Sequence, residues 1–142
     1  MQIIFPKGLP GFENYKKFEL REEQDVPLAY LNSLDNKNIS FALLKPYIAV
    51  PDYLTKIEIS SDEVEILGIK DDDKVDIWVI LTLRLSDMTK TTANLRAPIV
   101  INPTSGRGIQ IILEDEKYSS KEPIFKELAA SQGEDCREGA IG

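Results

Sequence analysis

Between Val75 and Leu85 the chain reads Val-Asp-Ile-Trp-Val-Ile-Leu-Thr-Leu-Arg-Leu, with aliphatic residues at Val75, Ile77, Val79, Leu81, Leu83 and Leu85. Successive side chains on an extended backbone point to opposite faces, so a period of two places all six on one face of a strand. At ~3.3 Å per residue the segment would span about 35 Å, longer than most strands in globular proteins. The reading is a central strand, bent or coiled, with one face buried and the other wet. Such a strand requires a sheet around it to cover its apolar face.

The same period recurs along the chain. Ile39, Phe41 and Leu43 alternate with Ser40 and Ala42, and Leu28 to Leu34 precedes them across the turn residues Asp35-Asn36-Lys37-Asn38. Asn94 to Ile101 and Ile109 to Leu113 flank Asn102-Pro103-Thr104-Ser105-Gly106-Arg107-Gly108, whose proline and glycines mark a hairpin loop. Gln2 to Phe5, Lys16 to Leu20 and Thr55 to Ile59 bring the expected strands to seven or eight. Two helices are predicted. Ser60-Ser61-Asp62-Glu63 fits the capping box ahead of Asp62 to Leu67, with Gly68 as terminator; Lys121 to Ala130 has Pro123 near its start and Ile124 and Leu128 on one face. These expectations describe a mainly β fold, a compact antiparallel β-barrel-like single domain over residues 1–130 with one or two short helices. From Ser131 the chain has almost nothing to bury, and residues 131–142 read as a disordered tail.

Composition narrows the function more than any motif. Histidine is absent, which removes the commonest general base and the commonest transition-metal ligand. The single cysteine, Cys136, lies in the polar tail with nothing to lower its pKa, and it cannot form an internal disulfide or a thiolate cluster. Asp71-Asp72-Asp73 lacks the alternation, glycine and terminal glutamate of a calcium loop, so it reads as a solvated turn. Gly106-Arg107-Gly108 lacks the ending and following helix of a phosphate loop, and Gly8-Leu9-Pro10-Gly11-Phe12 reads as turn chemistry. The expectation is a protein that is no enzyme and binds no cofactor and no metal. A formal charge of −7 disfavours direct nucleic-acid binding and favours a basic protein partner. The longest apolar run, Ile77 to Leu81, is far below the ~20 residues of a membrane helix, so no membrane association is expected. No secretory signal is read at the amino terminus, and the expected location is the cytoplasm.

The order of several segments is similar to a known family. Gly8-Leu9-Pro10-Gly11-Phe12 resembles the G-x-P-G-F opening of FliW proteins, and Pro27 to Leu34 resembles the segment that follows it. Phe41 to Pro46, Pro51-Asp52-Tyr53, Leu67-Gly68-Ile69 and the strand from Val75 continue the series. The most specific match is Thr92 to Asn102, close to the family's T-x-N-L-x-A-P-x-x-x-N block. The resemblance covers roughly Met1 to Phe125. It implies a flagellar assembly factor of the bacterial cytoplasm that binds CsrA, a small basic RNA-binding repressor, and flagellin. By exchanging these partners such a protein relieves repression of flagellin messenger RNA. A flagellin-specific chaperone and a small-molecule barrel stay open beside it. The acidic stretch Glu58 to Asp76, with eight acids against Lys70 and Lys74, is the candidate surface for CsrA, centred on Asp71, Asp72 and Asp73. Phe12, Tyr53, Asn94, Leu95, Arg96 and Pro98 complete the candidate partner-binding residues, although Asn94, Leu95 and Pro98 could equally shape a strand entrance.

Overall fold

A computed structural model describes residues 1–53, 59–70, 73–114 and 117–124. Its strands are Gln2–Ile4 (β1), Lys17–Glu22 (β2), Leu28–Ser33 (β3), Ser40–Leu44 (β4), Asp76–Thr82 (β5), Thr92–Ala93 (β6), Ile99–Asn102 (β7), Arg107–Gln110 (β8) and Glu122–Pro123 (β9), with one helix, Ser61–Leu67 (α1), between β4 and β5. Seven strands run in the order β4-β3-β2-β1-β8-β7-β5 and close where β5 pairs with β4, through Ala42↔Leu81, Leu43↔Ile80 and Leu44↔Val79. Closure is what removes exposed sheet edges. The pairings are antiparallel except at one joint, where β1 and β8 run parallel at Ile4↔Arg107. β6 and β9 form a short flap beside β5.

The barrel is filled by its own side chains. Ile3, Phe18, Leu20, Leu31, Leu43, Trp78, Ile99 and Ile101 all belong to one buried cluster, and Phe5 meets Phe18 edge-on with ring centroids 5.5 Å apart. Burial of such groups is the dominant favourable term in folding, about 1.5–3 kcal/mol for each large aliphatic or aromatic side chain.

β5 departs from expectation in two ways. It ends at Thr82, because the ladder to β4 stops at Leu81 and the chain then turns, Asp87 N–H donating to Arg84 O at 3.0 Å. Leu83 and Leu85 keep the alternation with no neighbouring strand, and both are exposed. Nor is one face wet: Trp78 enters the interior cluster, while Val79 and Leu81 on the opposite face join a second one with Tyr53, Leu95 and Tyr118. The face carrying the regular aliphatic pattern is therefore the outer wall, covered by the segments around Tyr53 and Tyr118.

The block expected as a strand from Asn94 to Ile101 is divided. Asn94 Oδ1 accepts from the N–H groups of Arg96 (3.1 Å) and Ala97 (3.1 Å), a side-chain turn that competes with the ladder, and β7 begins only after Pro98. The expected strand Ile109 to Leu113 is shifted to Arg107–Gln110, after which Ile111 and Leu113 N–H groups donate to Pro98 O and Arg96 O of that turn. The expected helix from Lys121 fails at its start, where Glu122–Pro123 pairs with β6, proline being tolerated at a sheet edge. Its remainder from residue 125, the expected strand Thr55 to Ile59 apart from its last residue, and the expected tail 131–142 lie outside the described residues.

α1 forms as its sequence dictates. Ser60 Oγ accepts from Glu63 N–H (3.2 Å), Glu63 Oε1 accepts from Ser60 N–H (2.8 Å), and Gly68 ends the helix at φ 64°. Its one fully buried residue, Leu67, packs with Val100, Ile109 and Ile111 on the outside of the barrel.

Candidate functional site

Three strands of the barrel present a row of apolar side chains to its outside. Register sets Leu28 beside Leu44 and Val79, and Tyr30 beside Ala42 and Leu81. Ala42 is the small member, and its methyl group between Tyr30 and Leu81 leaves a depression. The groove so formed has a volume of about 360 Å³ and is lined almost wholly by carbon. Its rim is exposed: Val26 (48%), Ile48 (49%), Leu83 (39%) and Met88 (44%) stand around it, and Ile124 closes one side. Large apolar groups gathered in one exposed patch, unlike single ones scattered on a surface, mark an interaction site.

The rim is held in place by local chemistry. Met88 opens a 3-10 turn whose cap is Asp87, which accepts at Oδ1 from the hydroxyl of Thr89 (2.6 Å) and from its N–H (3.1 Å). Those bonds, the hydroxyl's first, hold the Asp87 carboxyl below its ordinary pKa. Ile48 ends a second 3-10 turn, Pro46–Ile48, preset by proline at its start.

At Val26 and Pro27 the groove runs into a second cleft lined also by Glu22, Glu23 and Asp25. Lys45 borders that cleft, but its ammonium lies 3.8 Å from Asp76 and 4.1 Å from the Trp78 ring centroid. The groove thus has an acidic end.

The residues singled out from sequence fall elsewhere. Phe12 and Asn94 come together, lining a recess of about 240 Å³ with Leu9, Phe41 and Ile112; the Phe12 ring meets Phe41 edge-on at 5.4 Å. Tyr53 and Leu95 also come together, buried, with the Tyr53 hydroxyl donating to Leu95 O. Arg96 is half-buried and its Nε donates to Leu113 O at 3.3 Å, while Pro98 is buried. Asp73 Oδ2 accepts from Lys70 N–H (2.9 Å) and Asn102 Nδ2 (3.2 Å), tying the turn after α1 to the end of β7. Asp71 and Asp72 lie outside the described residues. Among the described residues no group of three or more acidic or thiol side chains is placed to hold a metal ion. None is a helix long and apolar enough to cross a membrane. Of the groove residues, Leu28, Ala42 and Leu81 lie on the expected strands, but only the register between strands shows that they meet.

Tyr53 yields a pH prediction. Burial, and then the neighbouring Tyr118 hydroxyl, push its pKa above the ordinary tyrosine value. The native chain keeps this proton where the unfolded chain releases it, so the stabilisation is complete below pH ~10 and declines as pH rises beyond that. Urea midpoints should fall as pH rises above ~10, and fall less steeply in Tyr53→Phe. At neutral pH that variant should lose about 1–3 kcal/mol, because Leu95 O is left without its buried donor. Parallel slopes for the two proteins would refute the assignment.

The family model for the FliW protein matches residues 1–124. The flagellar assembly factor FliW of Thermosipho africanus (strain TCF52B) is 44% identical over 123 residues, 86% of this chain and 83% of that protein. That of Caldanaerobacter subterraneus subsp. tengcongensis is 40% identical over 128 residues, 89% and 83% of the two chains. The fold is similar to a crystal structure of the flagellar assembly factor FliW, with a TM-score of 0.77 at 36% identity, covering 89% of this chain and 86% of that one. With its seven-stranded barrel and with relatives matched over more than four-fifths of their length, this chain belongs to the FliW family.

Proposed function

We propose that this chain works in the bacterial cytoplasm as a partner-switching regulator, holding CsrA and flagellin in turn and catalysing no reaction. The observation that carries the reading is the exposed apolar groove over β3, β4 and β5 on a chain of net charge −7. An apolar groove suits a protein segment with its own apolar face, and the negative field favours the approach of a basic repressor. Family membership supports the flagellar context. Flagellin that accumulates occupies the chain, CsrA is released to repress flagellin messenger RNA, and export of flagellin reverses the exchange. The balance follows from two affinities and two concentrations. The acidic stretch Glu58 to Asp76, with Asp62 and Glu65 exposed on α1, is the side proposed to meet CsrA.

A competition titration tests this. With CsrA bound to labelled RNA, adding the chain should release the RNA, and adding flagellin should restore the complex. CsrA association should slow as salt rises. A chain that leaves the RNA complex untouched and binds no flagellin would overturn the proposal.

A further inference from the structure

We infer that the outer groove docks an amphipathic helical segment of a protein partner, apolar along one face and carrying lysine or arginine at the end that meets Glu22, Glu23 and Asp25. The inference rests on the reading that the chain acts by holding proteins, and it specifies what the groove holds. Backbone pairing comes first. β3 is bonded to β2 and β4, and β4 to β3 and β5, so the floor has no free strand edge to offer. An extended peptide laid across it would leave its own N–H and C=O groups unmatched against a carbon-lined surface, whereas a helix satisfies them internally.

Shape and charge supply the rest. The depression over Ala42 lies between Tyr30 and Leu81, with Ile48, Leu83 and Met88 on the rim, an arrangement for side chains spaced one helical turn apart. Glu22, Glu23 and Asp25 are exposed, and no ion pair is made to any of them among the described residues. The cation lining that cleft, Lys45, already faces Asp76. A cationic end on the partner therefore meets uncompensated acid there, and an acidic end meets repulsion.

The test uses the full chain and labelled synthetic helical peptides with leucines at i, i+3, i+4 and i+7, two lysines at one end or the other, read by fluorescence anisotropy. The tighter of the two orientations should bind at least about tenfold more strongly than its glutamate counterpart, a difference of about 1.4 kcal/mol. A peptide with a central proline should lose binding. Ile48→Glu/Met88→Glu should weaken the lysine peptide about tenfold or more, and Ala42→Phe should do so by filling the groove without adding charge. Both should keep the wild-type circular dichroism spectrum. Glu22→Lys/Glu23→Lys/Asp25→Lys should invert the preference between lysine and glutamate peptides. The inference falls if the proline peptide binds equally, if the variants keep full affinity, or if no helical peptide binds the full chain. It also falls if the wild type forms a dimer that Ile48→Glu/Met88→Glu dissolves, since the groove would then belong to a second copy. Capture of purified CsrA and flagellin on the same proteins separates the two levels. Equal capture by wild type and Ile48→Glu/Met88→Glu sinks the groove assignment alone, whereas failure of the wild type to capture either sinks the proposed function.

Discussion

Replacing Trp78 with alanine is expected to lower the free energy of unfolding by about 3–5 kcal/mol. Trp78 sits on β5 at the point where that strand passes from β7 to β4, paired with Ile99, and its side chain is 1% exposed within the interior cluster. The loss has two parts, the transfer free energy of the indole and the cavity it leaves. A closed barrel limits collapse around that cavity, since each wall strand is bonded on both sides. Lys45, stacked over the ring, would lose that contact as well. Against a total stability of about 5–15 kcal/mol the variant should be near the threshold of folding at ordinary temperature. Urea denaturation followed by far-ultraviolet circular dichroism measures it, because Trp78 is the only tryptophan and its fluorescence disappears with it. A loss under about 1 kcal/mol would mean that the neighbours refill the space and that the interior is less tightly packed than this placement requires.

Trp78 also shows where reading the sequence succeeds and where it stops. The alternation from Val75 identifies a strand, and the Ser60/Glu63 box with Gly68 identifies a helix, because in both cases the signal lies within a few residues of the structure it makes. Strand ends are different. Leu83 and Leu85 continue the pattern perfectly, yet the strand stops because its last partners are Ala42, opposite Leu81, and Thr92, opposite Thr82. Likewise Asn94 to Ile101 reads as one β segment, but a single side-chain oxygen on Asn94 folds its first half into a turn. Closure through β1–β8 and β4–β5 joins residues far apart in the chain, and no local pattern announces it.

The candidate site divides along the same line. Two of the residues singled out from sequence, Tyr53 and Leu95, are buried and bonded to each other. The exposed groove instead arises from Ala42 falling between Tyr30 and Leu81, a fact of register. A strand whose two faces are both covered produces this outcome. Its inner face fills the barrel with Trp78, and its outer face extends from the buried Val79 through Leu81 to the groove. Under the proposed docking, stability and partner binding would draw on opposite faces of β5, and Ile48 and Met88, exposed on 3-10 turns at the groove's rim, can be changed without disturbing the core.

Gly8→Ala should destabilise by roughly 3 kcal/mol, and Gly11→Ala, three residues on, by only about 1 kcal/mol. Both glycines have positive φ, 68° and 85°, so each substitution incurs the left-handed cost of roughly 1–2 kcal/mol at most. Their surroundings differ. A methyl group at Gly8 would lie 2.6 Å from Glu13 Cα and 2.9 Å from Glu13 O, whereas at Gly11 it meets nothing within 4 Å. The clash is with backbone, so no rotamer change relieves it. The loop from Gly8 to Glu13 must open, and that loop holds Leu9, 1% exposed, in the barrel's interior cluster. Phe5 O accepts from Gly8 N–H at 2.8 Å and Leu9 O from Phe12 N–H at 2.7 Å, so opening also strains the turn that carries Phe12 against Phe41. Because the two variants share the conformational cost, the difference between their urea midpoints isolates the close approach. Equal losses would place the whole effect in φ and remove the Gly8–Glu13 contact from the account of why this turn begins with glycine.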